Sequence, residues 1–205
     1  MAEPKSYATG IANSLLDLVS QIPDSPHKAS NTPVKDSAQV IRSASLRAAS
    51  VSAALAIPPG PFGMMTILPD LILIWRIQAQ MVSDIAAIHG KTGFLTREAL
   101  LFCLFKHGAS QLFRDIVVRV GERYVLRKTS LRMVQRLCER LGLRVSQRML
   151  GATISRWIPV AGAVAVGWYT RYDTQQVGQS ALDLFSKDID TDEMKDVTES
   201  ERNLP

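Results

Sequence analysis

Cysteine is nearly missing from this 205-residue chain, which holds only Cys103 and Cys138. The two lie far apart, without CxxC or Cys/His spacing, in segments that read as apolar helix faces. That pattern argues for two buried thiols in a reducing compartment and against a disulfide framework or a zinc site. The histidines are His27, His89 and His107; they fall in a loop and at two helix ends, where a capping or surface role outweighs metal binding. The opening MAEPKSYATG lacks a positive stretch followed by an apolar core, so no secretory signal is expected. GxSxG, HExxH, GxxxxGK[ST] and GxGxxG are all absent, which removes the usual signatures of hydrolase, zinc, P-loop and dinucleotide chemistry. Strand-like alternation is missing too. No cofactor and no metal is expected, and a non-enzymatic reading leads.

Basic charge is what the chain does have, unevenly spread around a net of +5. From Lys187 to Pro205, seven acidic residues stand against three basic ones, so this stretch carries −4 and the body before it +9. Between Lys106 and Arg156, twelve Lys and Arg meet only Asp115, Glu122 and Glu139. A basic body with an acidic tail is drawn to anionic partners by long-range attraction. With 46% apolar residues the chain can bury one sizeable core, so one domain is the default.

Helical spacing of Ile11, Leu15, Leu18 and Ile22 predicts an amphipathic helix that Pro23 and Pro26 stop. PDSPHKASNTP reads as a linker or a surface loop, and as a linker it would let this helix move. An Ala/Ser-rich helix over residues 34–57 has small side chains that permit close helix contact. Three prolines in PPGPFG then impose a non-helical corner. Pro69 and Asp70 suit the first turn of the next helix, whose early part from Leu71 to Ile77 is apolar all round and which ends at Gly90. A spanning helix needs about 20 apolar residues; with Arg76 inside it, this one reads as buried or membrane-dipping. Further helices are expected over residues 96–107 and 110–126, or as one helix continuous through Gly108, then from Thr129 or Ser130 onward, and from Pro159 toward Phe185, with no strands. The residues after Lys187 read as disordered.

Lys128, Arg132, Arg136, Arg140, Arg144 and Arg148 recur every four positions. Each step of four on a helix drifts by about 40°, so the six form a slanted ribbon, unless Gly142 breaks the helix. A solvated face whose arginine stems cover the core explains the pattern as well as phosphate contact does. Among phosphates, lipid headgroups are favoured. Two apolar helix starts carry Leu71, Ile74, Trp75, Trp157, Trp168 and Tyr169, and amphipathic aromatics suit a membrane interface. Nucleic acid is the weaker reading, because no helix-turn-helix, zinc or RNP signature is present. An unpaired Arg76 among Ile74, Trp75 and Ile77 would be costly, so a carboxylate is expected against it, Asp84 or Asp173, with Asp70 a further ion-pair candidate. The rival to a binding protein is an enzyme with a site around Asp70, Arg76 and His89.

The block PPGPFGMMTILPDLILIWRIQAQMVSDIAAIHG combines a Pro/Gly corner, an apolar helix entered through Asp, a central Arg, and an Ile-Ala pair before the helix-ending His-Gly. Together with the closing IPVAGAVAVGWYTRYDTQQVGQSA it resembles the EcsC protein family of bacteria, over residues 38–185. The apolar helix start is Pro-rich where that family is Gly-rich, and Trp168 and Tyr169 follow the last Gly-rich turn where Asn is frequent. The resemblance implies an all-helical domain, sometimes near membranes or secretion systems, without a settled activity. The expectation is thus an all-α, compact multi-helix domain with two central apolar helices. It comprises an N-terminal helix and linker (residues 1–33), an EcsC-like helical domain (34–186) and an acidic disordered tail (187–205). The expected partner is an anionic lipid surface or another protein, met in the cytoplasm or peripherally at the inner face of the membrane.

Overall fold

Prolines at first helical positions set much of the architecture, because their missing amide proton is not needed there. The computed structural model of the chain describes residues 4–55, 67–152 and 159–193. Within them lie α1 (Pro4–Ser20), α2 (Pro33–Leu55), α3 (Ile67–Ile88), α4 (Arg97–Ala109), α5 (Leu131–Ala152) and α6 (Pro159–Phe185). Single 3₁₀ turns occupy Thr92–Phe94 and Ser110–Phe113. Thr96 caps α4 by accepting from the Ala99 amide, and Gly90 leaves α3 at φ +67°, the left-handed conformation that glycine adopts without strain. The expected Pro/Gly corner lies outside the described residues.

The helices form one core. Ile11, Leu15 and Val19 of α1, Met81, Val82 and Ile85 of α3, Leu100 and Leu101 of α4, and Val177, Leu184 and Phe185 of α6 are all buried in it. The Ala/Ser-rich character of α2 has the predicted use. Gly178 of α6 meets Ile41, Gly167 meets Ala49 and Ala53, and Thr170 donates to Ser52 at 2.9 Å. Rising numbers on one helix meet falling numbers on the other, so α2 and α6 run antiparallel. Of the two expected readings, linker or surface loop, the stretch is a loop laced to the second half of α3. Ser83 donates to the Pro23 carbonyl at 2.6 Å, Ser25 to Asp84 at 2.7 Å, and the Ser30 amide to the Ile88 carbonyl at 2.9 Å. Hence α2 starts where α3 ends, and the end of α2 lies with the starts of α3 and α6.

Two expectations are overturned beyond α4. The helix expected over residues 110–126 stops at the 3₁₀ turn, and the chain forms a hairpin of β1 (Val117–Val120) and β2 (Arg123–Lys128). Val117, Val118, Val120, Tyr124 and Val125 favour strand, and Gly121 at φ +61° makes the first central position of a two-residue turn. The supposedly disordered tail begins with β3 (Asp188–Glu193), which pairs in parallel with β2 in the order β1-β2-β3. In this register Arg123 of β2 reaches Asp190 of β3 at 3.9 Å. Ile189 anchors the strand, being 6% exposed. Removal of everything after Lys187 is therefore expected to cost about 2 kcal/mol, chiefly the burial of Ile189. Urea unfolding reads this directly; an unchanged midpoint would mean that β3 contributes nothing.

Candidate functional site

The basic ribbon is carried mostly by α5. Ser130 caps the helix, accepting from the Met133 amide at 3.4 Å, and Val134, Leu137, Cys138 and Leu141 form its buried stripe. Gly142 does not break the helix. A Cβ there would lie 2.5 Å from the Ala8 carbonyl oxygen and 3.2 Å from the Ala12 amide nitrogen, so the bare glycine lets α1 and α5 touch through their backbones. On the opposite face Arg132, Arg136 and Arg140 are exposed. Arg144 is half-buried, as the drift requires: three steps of four turn it about 120° from Arg132. Arg148 belongs to α5, but its side chain lies outside the described residues. Lys128 is exposed at the end of β2 rather than on the helix. Glu139 is exposed beside the arginines, and Leu131 and Leu143 are 52% and 49% exposed. Among the described residues no carboxylate pairs with Lys128, Arg132, Arg136, Arg140 or Arg144.

Among the described residues the expected ion pair of Arg76 with Asp84 or Asp173 is not formed. Arg76 is exposed at the rim of a cavity of about 90 Å³ lined by Ser14, Asp17, Leu18, Ile72 and Trp75. The proposed partners are engaged elsewhere: Asp84 accepts from Ser25 and Gln80, and Asp173 accepts from Gln78 at 2.8 Å and pairs with His107 at 2.8 Å. Asp70, in the first turn of α3, makes its own contact. The enzyme reading needs Asp70, Arg76 and His89 together, but they are strung along α3, about 9 Å and 20 Å apart at 1.5 Å per residue. They do not converge. His89 is lowered below its usual range by burial and then by the charge of Lys91. Trp75 is core, 6% exposed and edge-on to Phe105, not an interface residue; Leu71 and Ile74 are half-buried. Trp168 and Tyr169 are exposed, and Trp157 lies outside the described residues.

A second polar cluster was not legible in the sequence. Asp183 of α6 receives Lys187 at 2.7 Å, Lys106 at 3.0 Å and the Tyr124 hydroxyl at 2.5 Å. Lys106 also sits over the rings of Phe102 and Tyr124, and Lys187 over Tyr124. Asp183 thus ties α4, α6 and β2 together. Beside it, Lys106, His107, Ser110, Gln176, Gln179 and Ser180 line an open groove of about 460 Å³. Burial alone would raise the Asp183 carboxyl, but hydrogen bonds from Lys187, Tyr124 and Lys106, with the charge of Lys106, hold it well below the usual carboxylate range. Burial and then Asp183 push the Tyr124 phenol up. Because the folded-state value of Asp183 is depressed, its contribution is complete above the unfolded carboxylate value near pH 4 and fades as the pH falls below it. Asp183→Asn should therefore cost on the order of 1–2 kcal/mol at pH 7, allowing for partial exposure, and progressively less below pH 4. An equal cost at pH 7 and pH 2.5 would show that shape, not charge, is what Asp183 supplies.

Both cysteines are free and buried, as expected. Burial pushes the Cys103 thiol far up and that of Cys138 up to about 12, aided by Glu139, so neither is a nucleophile. Among the described residues no group of His, Cys, Asp or Glu is placed to hold a metal ion. No protein-family model, curated protein or solved structure matches the chain. The class that fold and surface define is a mostly α-helical domain with a small three-stranded sheet, presenting a basic helix face that no carboxylate pairs among the described residues.

Proposed function

We propose that this chain is a non-enzymatic, peripheral membrane-associated or adaptor protein that binds anionic surfaces through α5 from the cytoplasmic side of the membrane. The observation that carries the reading is the exposure of Arg132, Arg136 and Arg140 on one helix, led in by Lys128, with no carboxylate pairing them among the described residues. From Arg132 to Arg144 the row runs about 18 Å, long enough to lie along several headgroups. Leu131 and Leu143 beside it add apolar contact. The EcsC-like order of motifs agrees with a helical domain near membranes, without attaching an activity.

The reading is tested by co-sedimentation with vesicles of phosphatidylglycerol and phosphatidylcholine against pure phosphatidylcholine. Binding is expected only where phosphatidylglycerol is present, and it should disappear near 1 M salt, where the screening length falls to about 3 Å. Equal binding to both vesicles overturns it. Tighter salt-sensitive binding to duplex DNA than to anionic vesicles would assign the basic face to nucleic acid instead.

A further inference from the structure

The first part of α6 is built unlike the rest of the domain. From Pro159 to Thr170 it contains no charged residue, and Arg171 is the first. One face is closed: Gly167, Thr170 and Gly178 seat against α2. On the outward face Val164, Trp168 and Tyr172, spaced four apart, are 69%, 73% and 56% exposed, with Tyr169 beside them at 64%. Three large aromatics exposed on one helix face are more than a domain core needs, and such patches mark interaction sites.

Order along the helix axis decides what covers this face. Reading from the end of the bundle inward come apolar Val160, Val164 and Val166, then Trp168 and Tyr169, then Arg171 and Tyr172, then the polar Asp173, Gln175 and Gln176. Hydrocarbon, aromatic belt, headgroup phosphate and water follow one another in that order through one leaflet. A protein groove or a second copy of the chain would not impose such a gradient. The uncharged run of α6 is about 18 Å long, against about 30 Å for a hydrocarbon core, so it enters one leaflet and does not cross. The antiparallel packing places the starts of α3 and α6 and the end of α2 together, and there α3 exposes Leu73, 42% accessible. Asp70 is half-buried and engaged rather than presented.

We infer that this end of the bundle inserts into the interfacial layer of a bilayer, with Val164 and Trp168 entering first, Tyr169 and Tyr172 forming the belt, and Arg171 at the phosphates. The inference rests on the membrane reading of α5 but concerns a different surface and a different force. Its test uses the full chain carrying Trp157→Phe, which leaves Trp168 and the buried Trp75 as fluorophores. With vesicles of equal phosphatidylglycerol and phosphatidylcholine, Trp168 should shift its emission to the blue, lose quenching by iodide, and gain quenching by lipids brominated near the top of the acyl chain. A chain with Trp168→Phe added should show none of these changes while still pelleting with the vesicles. Pelleting with Trp168 still open to iodide would overturn the insertion and leave the α5 reading standing. No pelleting would overturn both. A lipid-free dimer in which Trp168 is already shielded would give the face to a second copy of the chain.

Discussion

Replacement of Arg132, Arg136, Arg140, Arg144 and Arg148 together by Gln is expected to abolish co-sedimentation with anionic vesicles while leaving the helical circular-dichroism spectrum unchanged. Each basic residue near an anionic surface is worth about 1 kcal/mol, so five amount to a loss of about a thousandfold or more, whereas a single change costs only about fivefold. Arg132, Arg136 and Arg140 are exposed, and exposed substitutions alter stability by about 0.5 kcal/mol or less, so loss of binding would not reflect loss of fold. Glu139 supplies a control of opposite sign. It is the acidic residue among these arginines on the exposed face, and Glu139→Gln should tighten binding about fivefold by the same reasoning. Undiminished binding by the five-fold variant would remove α5 from the site.

The largest effect on stability is expected at Gly142. Its absent Cβ would meet the Ala8 carbonyl at 2.5 Å and the Ala12 amide at 3.2 Å, so even Gly142→Ala forces backbone apart from backbone along α1 and α5. Overpacking of this kind costs about 1–3 kcal/mol, and with no flexible side chain to yield, about 3 kcal/mol is expected for Ala and more for Val. Gly178→Ala meets only the side chain of Ile41, at 2.6 Å and beyond, and a rotamer change can absorb part of that. Gly93 has nothing within 4 Å of a Cβ; Gly93→Ala should be neutral or slightly stabilising, by about 0.5 kcal/mol. Thermal unfolding of the three variants gives the order directly. If Gly142→Ala melts with the unsubstituted protein, α1 and α5 are not in backbone contact.

Local signals made most of the helices legible. Pro159 opens α6 and Gly90 closes α3 as their backbone chemistry requires, and Ser130 caps α5 as expected. The hairpin was lost because Leu112, Ile116, Val120 and Tyr124 recur at helical spacing. The decisive signal was the run of valines on one side of Gly121, with Tyr124 and Val125 on the other, where strand preference outweighs period. β3 had no local signal at all: Asp and Glu are depleted in strands, and its stability comes from a basic partner strand and one buried isoleucine. Arg76 misled in the opposite way. Its apolar neighbours Ile74, Trp75 and Ile77 suggested burial, yet on a helix they occupy other directions and Arg76 faces out. The basic row itself needed only spacing, but the lack of a paired carboxylate among its described residues and the closure of α1 over Gly142 depend on which helices meet. The same holds for the Asp173 and Asp183 clusters, assembled from α3, α4, α6 and β2.

The parallel pairing of β3 with β2 also has a consequence in time. Arg123 is paired with Asp188, 65 positions later, and a ribosome adding about 5–20 residues per second needs roughly 3–13 s to cover that distance. For that interval β2 has β1 on one side and a bare row of amides and carbonyls on the other, which is the kind of edge that recruits strands from neighbouring chains. Arg123, Arg127 and Lys128 on that strand repel another copy of itself while it waits. The arginine that meets Asp190 in the finished sheet is thus also a like-charge guard on the open edge of β2.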